Sequence, residues 1–321
     1  MTAEDQLFLR ITARLADHDA EVRRLALSEL ADIASEQHVP YFIRALRDNA
    51  VPVRVTAAHL LQDFLVQQSV EALSSALSDA DSRVREAAAQ SLSELKDAKF
   101  AEQLLGYYAA AEGFARAALL RALRELRAEQ AFKPALAALH DADAQVRREA
   151  VGVLGFLKRA DALSELSDLA VNDPDPVVRK AAVGALGIGS NALVSAALVR
   201  ALSDAEWNVR EEAASTIGKL RLENAAKALI AAVADPYWQV RVRAARSLGR
   251  IKASAATPAL VRTLVDPSSN ARKEAAIALG EIGDRAALGA LIAAQDDADA
   301  DVRKAARLAA IQIELREKTK S

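Results

Sequence analysis

The sequence contains no cysteine, a single methionine and only 4% aromatic residues. Without cysteine, the chain forms no disulfide, no thiolate metal site and no cysteine nucleophile. No apolar run reaches the roughly 18 residues that a membrane-spanning helix requires. The N-terminal segment includes early acidic side chains and no apolar signal core. We therefore expect a cytoplasmic protein that is neither secreted nor inserted in a membrane.

The chain also lacks an excess of positive charge. Its 42 Lys and Arg residues are balanced by 44 Asp and Glu, for a net charge of −2. Proteins that bind nucleic acids generally carry a strongly basic surface, so no general nucleic-acid binding is expected. Hydrophobic residues make up 52% of the chain, and because aromatics are scarce the core must consist of Ala, Leu, Val and Ile.

One short phrase recurs from end to end: an Asp, four residues, a Val-Arg pair, and an Ala three residues after the Arg. The Val position recurs at a nearly constant interval, at Val22, Val53, Val84, Phe114, Val146, Val178, Val209, Val240, Ala271 and Val302. A period of about 31 residues indicates a repeat architecture, in which each unit buries its apolar face against its neighbours. Ten such units fill the chain.

Residues 223–253 illustrate one repeat. The first half carries apolar residues on one helical face, and Asp235-Pro236 then breaks the helix. The second half places its apolar residues at the spacing of a second amphipathic helix, namely at Val240, Ala244, Leu248 and Ile251. Each repeat is therefore predicted to be a helix–turn–helix pair.

The recurring Asp and Arg invite a catalytic interpretation, but they return at the structural period in nine copies each. We interpret them as ion pairs between neighbouring turns. The planar guanidinium of Arg suits a carboxylate and helix-end carbonyl groups at the same time.

The repeats resemble the HEAT repeat, in particular the 31-residue phycobilisome-lyase-like type of bacteria, whose pattern is D-P-x-x-x-V-R-x-x-A-x-x-x-L-G-x-I-G. Residues 235–251 and 266–283 match this pattern at nearly every position, and the resemblance covers residues 4–316. It implies an all-α fold, a right-handed α-solenoid of about ten helix–turn–helix repeats, with the second helices on the inner face.

The resemblance implies a binding function. We expect a non-enzymatic scaffold or adaptor that holds a partner protein on its inner face and rim and is monomeric alone. The four His residues lack the following Glu of the di-iron hydroxylases of this superfamily, so neither a metal nor a cofactor is expected. Two alternatives stay open: a subunit of the phycobilin-lyase type that assists pigment attachment or maturation, and a DNA-acting protein with HEAT-like repeats.

Repeat 4 departs most from the pattern. It lacks the Asp, and with Phe114 at the Val position Ala115 replaces the Arg. Tyr107 and Tyr108 occur in the same repeat, either filling the space of the missing ion pair or contacting a partner. The expected organisation is therefore a divergent part at 1–97, a degenerate repeat and possible hinge at 98–128, and a regular part at 129–321.

Repeats 7 and 8 depart in a second way. Where five of the ten copies have an Asp that caps the second helix, they have Glu206 and Tyr237, each followed by one of the two tryptophans of the chain. Three arginines follow in repeat 8, and Arg246 is expected to lack a carboxylate in the neighbouring repeats. The candidate residues for binding a partner are Trp207, Tyr237, Trp238, Arg243, Arg246, Arg250, Tyr107 and Tyr108.

Overall fold

The computed structural model describes residues 3–189 and 191–320, with side chains for 6–189 and 191–316. These residues form helices and turns and contain no β-strand, so the expected all-α fold is confirmed. The chain divides into two compact units, Met1–Leu157 and Lys158–Ser321. The division predicted at repeat 4 stays a prediction.

Each unit is an α-solenoid of helical pairs. The first unit contains α1 (Ala3–Arg14), α2 (Ala20–Ala31), α3 (Val39–Ala45), α4 (Val51–Leu60), α5 (Gln67–Ala76), α6 (Ser82–Ser93), α7 (Ala101–Ala110), α8 (Gly113–Glu125), α9 (Phe132–Ala138) and α10 (Ala144–Leu157). The second contains α11 (Leu163–Asn172), α12 (Pro176–Ala185), α13 (Ala192–Ala201), α14 (Trp207–Leu220), α15 (Ala226–Ala232), α16 (Trp238–Arg250), α17 (Thr257–Thr263), α18 (Ser269–Ile282), α19 (Leu288–Ala293) and α20 (Ala300–Lys320).

Short 3-10 helices connect the pairs, most of them just before an odd-numbered helix. They span Glu36–His38, Leu61–Asp63, Ala98–Phe100, Glu129–Ala131, Ala160–Ala162, Leu186–Ile188, Glu223–Ala225, Ser254–Ala256, Arg285–Ala287 and Ala294–Asp296.

The even-numbered helices form one continuous layer within each unit. In the first unit α2, α4, α6, α8 and α10 pack in sequence, and in the second α12, α14, α16, α18 and α20 do the same. Each odd-numbered helix packs on its own even-numbered partner. In repeat 8, Val240, Ala244 and Leu248 are fully buried, which confirms the apolar face predicted for the second helix.

The predicted ion pairs between turns are present, and we call them ladder pairs. In repeat 7, Arg210 donates from Nε and Nη2 to the carboxylate of Asp235 in the next repeat, at 2.7 and 3.0 Å. Its Nη1 donates to the carbonyl oxygen of Asp204 in its own turn, at 2.8 Å. Equivalent ladder pairs are Arg23–Asp48, Arg54–Asp79, Arg116–Asp141, Arg179–Asp204, Arg241–Asp266 and Arg272–Asp297.

The structure of repeat 4 shows that one prediction from the sequence was wrong. Ala115 does not replace the ladder Arg, because Arg116 takes that role and donates to Asp141 at 2.6 Å and to the carbonyl of Ala111 at 2.7 Å. Ala115 is the buried residue at the Val position. Phe114 is half-buried instead, with its ring 5.8 Å from the guanidinium of Arg85, which has no Asp to meet in repeat 4.

Glycine allows the even-numbered helices of the second unit to approach closely. A Cβ added to Gly249 of α16 would lie 2.9 Å from the Cα and 3.1 Å from the Cβ of Ala278 in α18. By contrast, a Cβ added to Gly106 of α7 would meet nothing within 4 Å. Gly249 is therefore required by packing between repeats, whereas Gly106 is not.

We expect Gly249→Ala to destabilise the protein, because the new methyl group forces α16 and α18 apart; overpacking of this kind costs about 1–3 kcal/mol. Gly106→Ala is the matched control and should be neutral or stabilising by up to about 1 kcal/mol, since alanine favours the helix. Thermal unfolding followed by circular dichroism checks both variants. An unchanged melting temperature in Gly249→Ala would show that the helices are not in close contact.

The ladder pairs should also make stability depend on pH. Hydrogen bonds from Arg54 hold the pKa of Asp79 below its ordinary 3.8, although burial acts in the opposite direction. A lowered pKa in the folded state stabilises the protein above the ordinary value, and this contribution disappears as the pH falls through the folded-state pKa. Asp79→Asn should therefore cost about 1–3 kcal/mol at pH 7, and the difference from wild type should shrink below pH 3.8.

Urea unfolding at a series of pH values between 7 and 3 measures this difference. The control is Asp63→Asn, because the exposed Asp63 has no ion pair among the described side chains. The control should match wild type throughout. A difference for Asp79→Asn that is independent of pH would mean that the carboxylate charge does not stabilise the turn.

Candidate functional site

Three aromatic residues lie at the starts of α14 and α16, which pack side by side. Trp207 is the first residue of α14, Trp238 is the first residue of α16, and Tyr237 precedes it at the N-cap. Neither Glu206 nor Tyr237 makes a side-chain capping hydrogen bond, whereas Asp175 caps α12 by accepting from Val177 N. We call Trp207, Tyr237 and Trp238 the aromatic row.

Two members of the aromatic row stack across the boundary between repeats 7 and 8. The ring centroids of Trp207 and Tyr237 are 5.5 Å apart, with an angle of 15° between their planes. The guanidinium of Arg210 lies 5.7 Å from the centre of the Tyr237 ring. Tyr237 thus contacts both the indole and the ladder Arg of repeat 7.

Trp238 lies at the equivalent place in the next repeat, but no aromatic ring of the described part of the chain stacks on it. It occupies in repeat 8 the position that Trp207 occupies in repeat 7, and the residue equivalent to Tyr237 in repeat 9 is Ser268. Trp238 is 42% exposed and makes no ring contact among the described residues. Since serine has no ring, the indole of Trp238 presents an apolar surface at the position that Tyr237 covers in the preceding repeat.

The three arginines of repeat 8 differ in their environments. Arg246 is not free, as the sequence had suggested: its Nε donates to Glu274 at 3.0 Å and its Nη2 donates to the same carboxylate. Arg243 donates to Glu211 at 3.1 Å. Arg250 is exposed and has no ion pair among the described side chains. The prediction for Arg246 was wrong because it compared residues at equivalent positions of successive repeats, whereas the pair joins residues that are 28 apart.

The same spacing produces a second buried carboxylate, which the sequence reasoning missed. Glu149 of α10 accepts from Arg121 of α8 at 2.9 Å, and also from Arg124 and Arg148. Burial raises the pKa of Glu149, but the arginine hydrogen bonds outweigh it, so the pKa is lowered overall. The sequence does contain a signal for this pair. Arg121 lies six positions after Ala115, the buried residue at the Val position of repeat 4, and Glu149 lies three positions after Val146, the Val position of the next repeat.

Tyr107 and Tyr108 in repeat 4 make contacts within the first unit. The Tyr108 hydroxyl donates to the carbonyl of Pro134 at 3.3 Å, and the guanidinium of Arg116 lies 5.8 Å from the Tyr108 ring. Tyr107 hydrogen-bonds Ser75 of the preceding repeat, while burial raises its pKa. Both rings are half-buried. These contacts support a packing role, and a partner contact at either residue stays a prediction.

A cleft of about 1060 Å³ lies in the first unit, on repeats 1 to 3. Its lining combines the apolar Tyr41 and Ile43 with the charged side chains of Arg44, Arg47 and Glu71. Across residues 6–189 and 191–316, no three His, Asp or Glu side chains are grouped so that they could hold a metal ion. No helix in that part of the chain has both the length and the apolar character needed to cross a membrane.

Sequence comparison identifies the repeats. The family profile described as HEAT repeats matches residues 46–124, 110–187, 171–240 and 226–311. The matched stretches together extend from residue 46 to residue 311 and so include most of the chain. No curated protein sequence matches the chain.

Several solved structures share the fold. An engineered protein is 21% identical, with a TM-score of 0.54 over 95% of this chain and 98% of that chain. The Escherichia coli protein YibA is 19% identical, with a TM-score of 0.57 over 93% of this chain and 98% of that one. A chain of the Kap95–Nup1 complex is 13% identical, with a TM-score of 0.66 over 97% of this chain and 51% of that chain, about half its length. At these identities the likeness shows the fold, an α-solenoid.

The contact between Arg246 and Glu274 can be tested by substitution. Arg246→Ala should destabilise the protein by about 2 kcal/mol, because it leaves the buried Glu274 carboxylate without its cation; the loss is smaller than for a fully buried pair, since Arg246 is partly exposed. The double variant Arg246→Met, Glu274→Leu should regain most of the loss. Arg250→Ala, in the same helix, is the control and should have little effect. Urea unfolding of the four proteins decides the matter: equal stabilities for Arg246→Ala and Arg250→Ala would contradict the pair.

Proposed function

Since this chain belongs to the HEAT-repeat family, we propose that it is a non-enzymatic scaffold that binds a partner protein at the aromatic row. HEAT-repeat solenoids typically serve as interaction scaffolds, because stacked repeats present an extended surface. Within this solenoid, the proposal assigns the contact to the starts of α14 and α16.

The observation that carries the proposal is the difference between Trp207 and Trp238. Trp207 is covered by Tyr237 of the next repeat, whereas Trp238 has Ser268 at the equivalent place and stays 42% exposed. The contact of Tyr237 with Trp207 indicates what would fit at Trp238: a flat side chain that stacks on the indole and faces Arg241, the ladder Arg of repeat 8. The proposed partner therefore presents an aromatic side chain at this place.

The loss of the helix caps supports a role beyond packing. An Asp at the N-cap would stabilise each helix by about 1 kcal/mol, and Glu206 and Tyr237 make no capping hydrogen bond. The ladder pair Arg210–Asp235 is nevertheless intact, so the turns themselves have not decayed. Trp and Tyr are also the side chains that dominate binding energy at interfaces.

A structural neighbour in complex with a protein supports the proposal. The Kap95–Nup1 structure contains a chain with the same fold in complex with a protein. That chain is an example of an α-solenoid that accommodates a protein partner.

The test compares two equally exposed aromatic residues. Trp238→Ala should reduce capture of the partner about 30-fold, because truncating a central aromatic contact costs about 2 kcal/mol or more. Phe156→Ala is the matched control, since Phe156 is 41% exposed and lies outside the aromatic row. Proteins captured by wild type and by each variant are quantified by mass spectrometry, after circular dichroism has shown that helicity is retained.

A third variant tests the stacking itself. Ser268→Tyr should place a ring on Trp238, shift its fluorescence and compete with the partner, so that capture falls without loss of stability. Undiminished capture by both Trp238→Ala and Ser268→Tyr would refute the aromatic row as the binding site.

A further inference from the structure

The last helix of the structure carries an exposed apolar stripe. Leu308, Ile311 and Leu315 of α20 are 52%, 51% and 56% exposed. Their alternating spacing of three and four positions places them on one helical face, in the pattern by which two helices pair along a seam. Such a stripe is costly to leave in contact with water.

Interior repeats show what this face does elsewhere in the fold. Gly249 of α16, Gly280 of α18 and Ile311 of α20 occupy the same position in three successive repeats. A Cβ on Gly280 would lie 2.9 Å from the Cα of Ala309 in α20, and Gly249 makes the same approach to α18. The stripe on α20 thus lies on the face that packs against the following repeat in interior copies.

The face on α20 differs from the glycine-bearing face by which the preceding repeats of the second unit stack. Ile311 stands where Gly249 and Gly280 allow helices to approach closely, and its side chain prevents that approach. An isoleucine flanked by two leucines instead suits helices whose axes are about 8–10 Å apart and whose side chains interdigitate.

Charges beside the stripe indicate the partner. Arg307 and Glu314 are exposed, lie on the same side of the stripe, and have no ion pair among the described side chains. When two copies of α20 run antiparallel, with Leu308 of one against Ile311 of the other, Arg307 of each copy faces Glu314 of the other. In a parallel pair, Arg307 would face Gln312, and its charge would have no counterpart.

We propose that α20 pairs antiparallel with α20 of a second copy of this chain, forming a two-fold symmetric dimer. The contact is isologous, so the same surface is used twice and assembly stops at two chains. This differs from the monomer expected from the sequence. It does not rest on the proposed function, because no residue of the aromatic row takes part.

Sedimentation equilibrium of the full chain over the micromolar range tests the proposal. The weight-average mass should rise with concentration from 34.2 kDa toward twice that value. Ile311→Glu should abolish the rise, because it puts a carboxylate in the apolar seam. Val265→Glu, at an exposed apolar residue outside α20, is the matched control and should dimerise like wild type.

Charge exchange tests the antiparallel register. Arg307→Glu and Glu314→Arg should each weaken the dimer about tenfold, because each replaces two attractive contacts by two repulsive ones. The double variant Arg307→Glu, Glu314→Arg should restore dimerisation, which a merely destabilised helix would not do. Circular dichroism verifies that all variants are folded.

Three results would overturn the proposal: a mass of 34.2 kDa at every concentration, a dimer that Arg307→Glu leaves unchanged, or species that grow beyond two chains. Trp238→Ala separates this proposal from the proposed function, since it should leave the dimer intact even where it prevents capture of the partner.

Discussion

Each ladder Arg donates to two consecutive turns, and the stacking of the repeats depends on this double contact. The carboxylate that binds the Arg also accepts a hydrogen bond within its own turn, since Asp235 accepts from the backbone N–H of Tyr237 at 2.9 Å. The Asp thus shapes its own turn, and Arg210 of the preceding repeat binds the carboxylate in that orientation. Because the guanidinium is planar and has five N–H groups, one side chain can bind a carboxylate and a carbonyl together. Lysine could not replace it, since a point charge does not fix the angle between the turns.

Repeat 4 shows how the stack tolerates the loss of one half of this contact. Residue 110, where the ladder requires an Asp, is Ala110, so Arg85 has no carboxylate to meet. Arg85 still donates to the carbonyl groups of its own turn, at 2.8 and 3.0 Å. The ring of Phe114 occupies the place of the missing anion, and the negative face of an aromatic ring attracts a cation. Arg116 then resumes the ladder with Asp141, so the defect is confined to one contact.

The period of the sequence predicts the helical pairs, the buried faces and the ladder, because each follows from residues that recur in nearly every copy. Contacts made by single copies are harder to predict. Arg246 was expected to be free because equivalent positions of successive repeats were compared, whereas its partner Glu274 lies at a separation of 28, three positions short of one period. In repeat 4 Phe114 was assigned to the Val position, although Ala115 is the residue that is buried. The stacking of Trp207 on Tyr237 depends on side-chain rotamers, which no sequence pattern specifies.

A repeat protein also contains its own comparison set, because each position has equivalents in the other repeats of the same chain. Two positions differ from their equivalents in opposite ways. At Trp238 a neighbour is missing, since Ser268 stands where Tyr237 covers the previous tryptophan. At Ile311 a side chain is added, where Gly249 and Gly280 allow close approach. At Trp238, the missing neighbour leaves an aromatic surface on which a ring can stack. At Ile311, the added side chain favours pairing with a helix that lies farther away than the next repeat of a stack. Both departures leave a large apolar side chain exposed, so they mark the surfaces at which we expect the solenoid to meet other molecules.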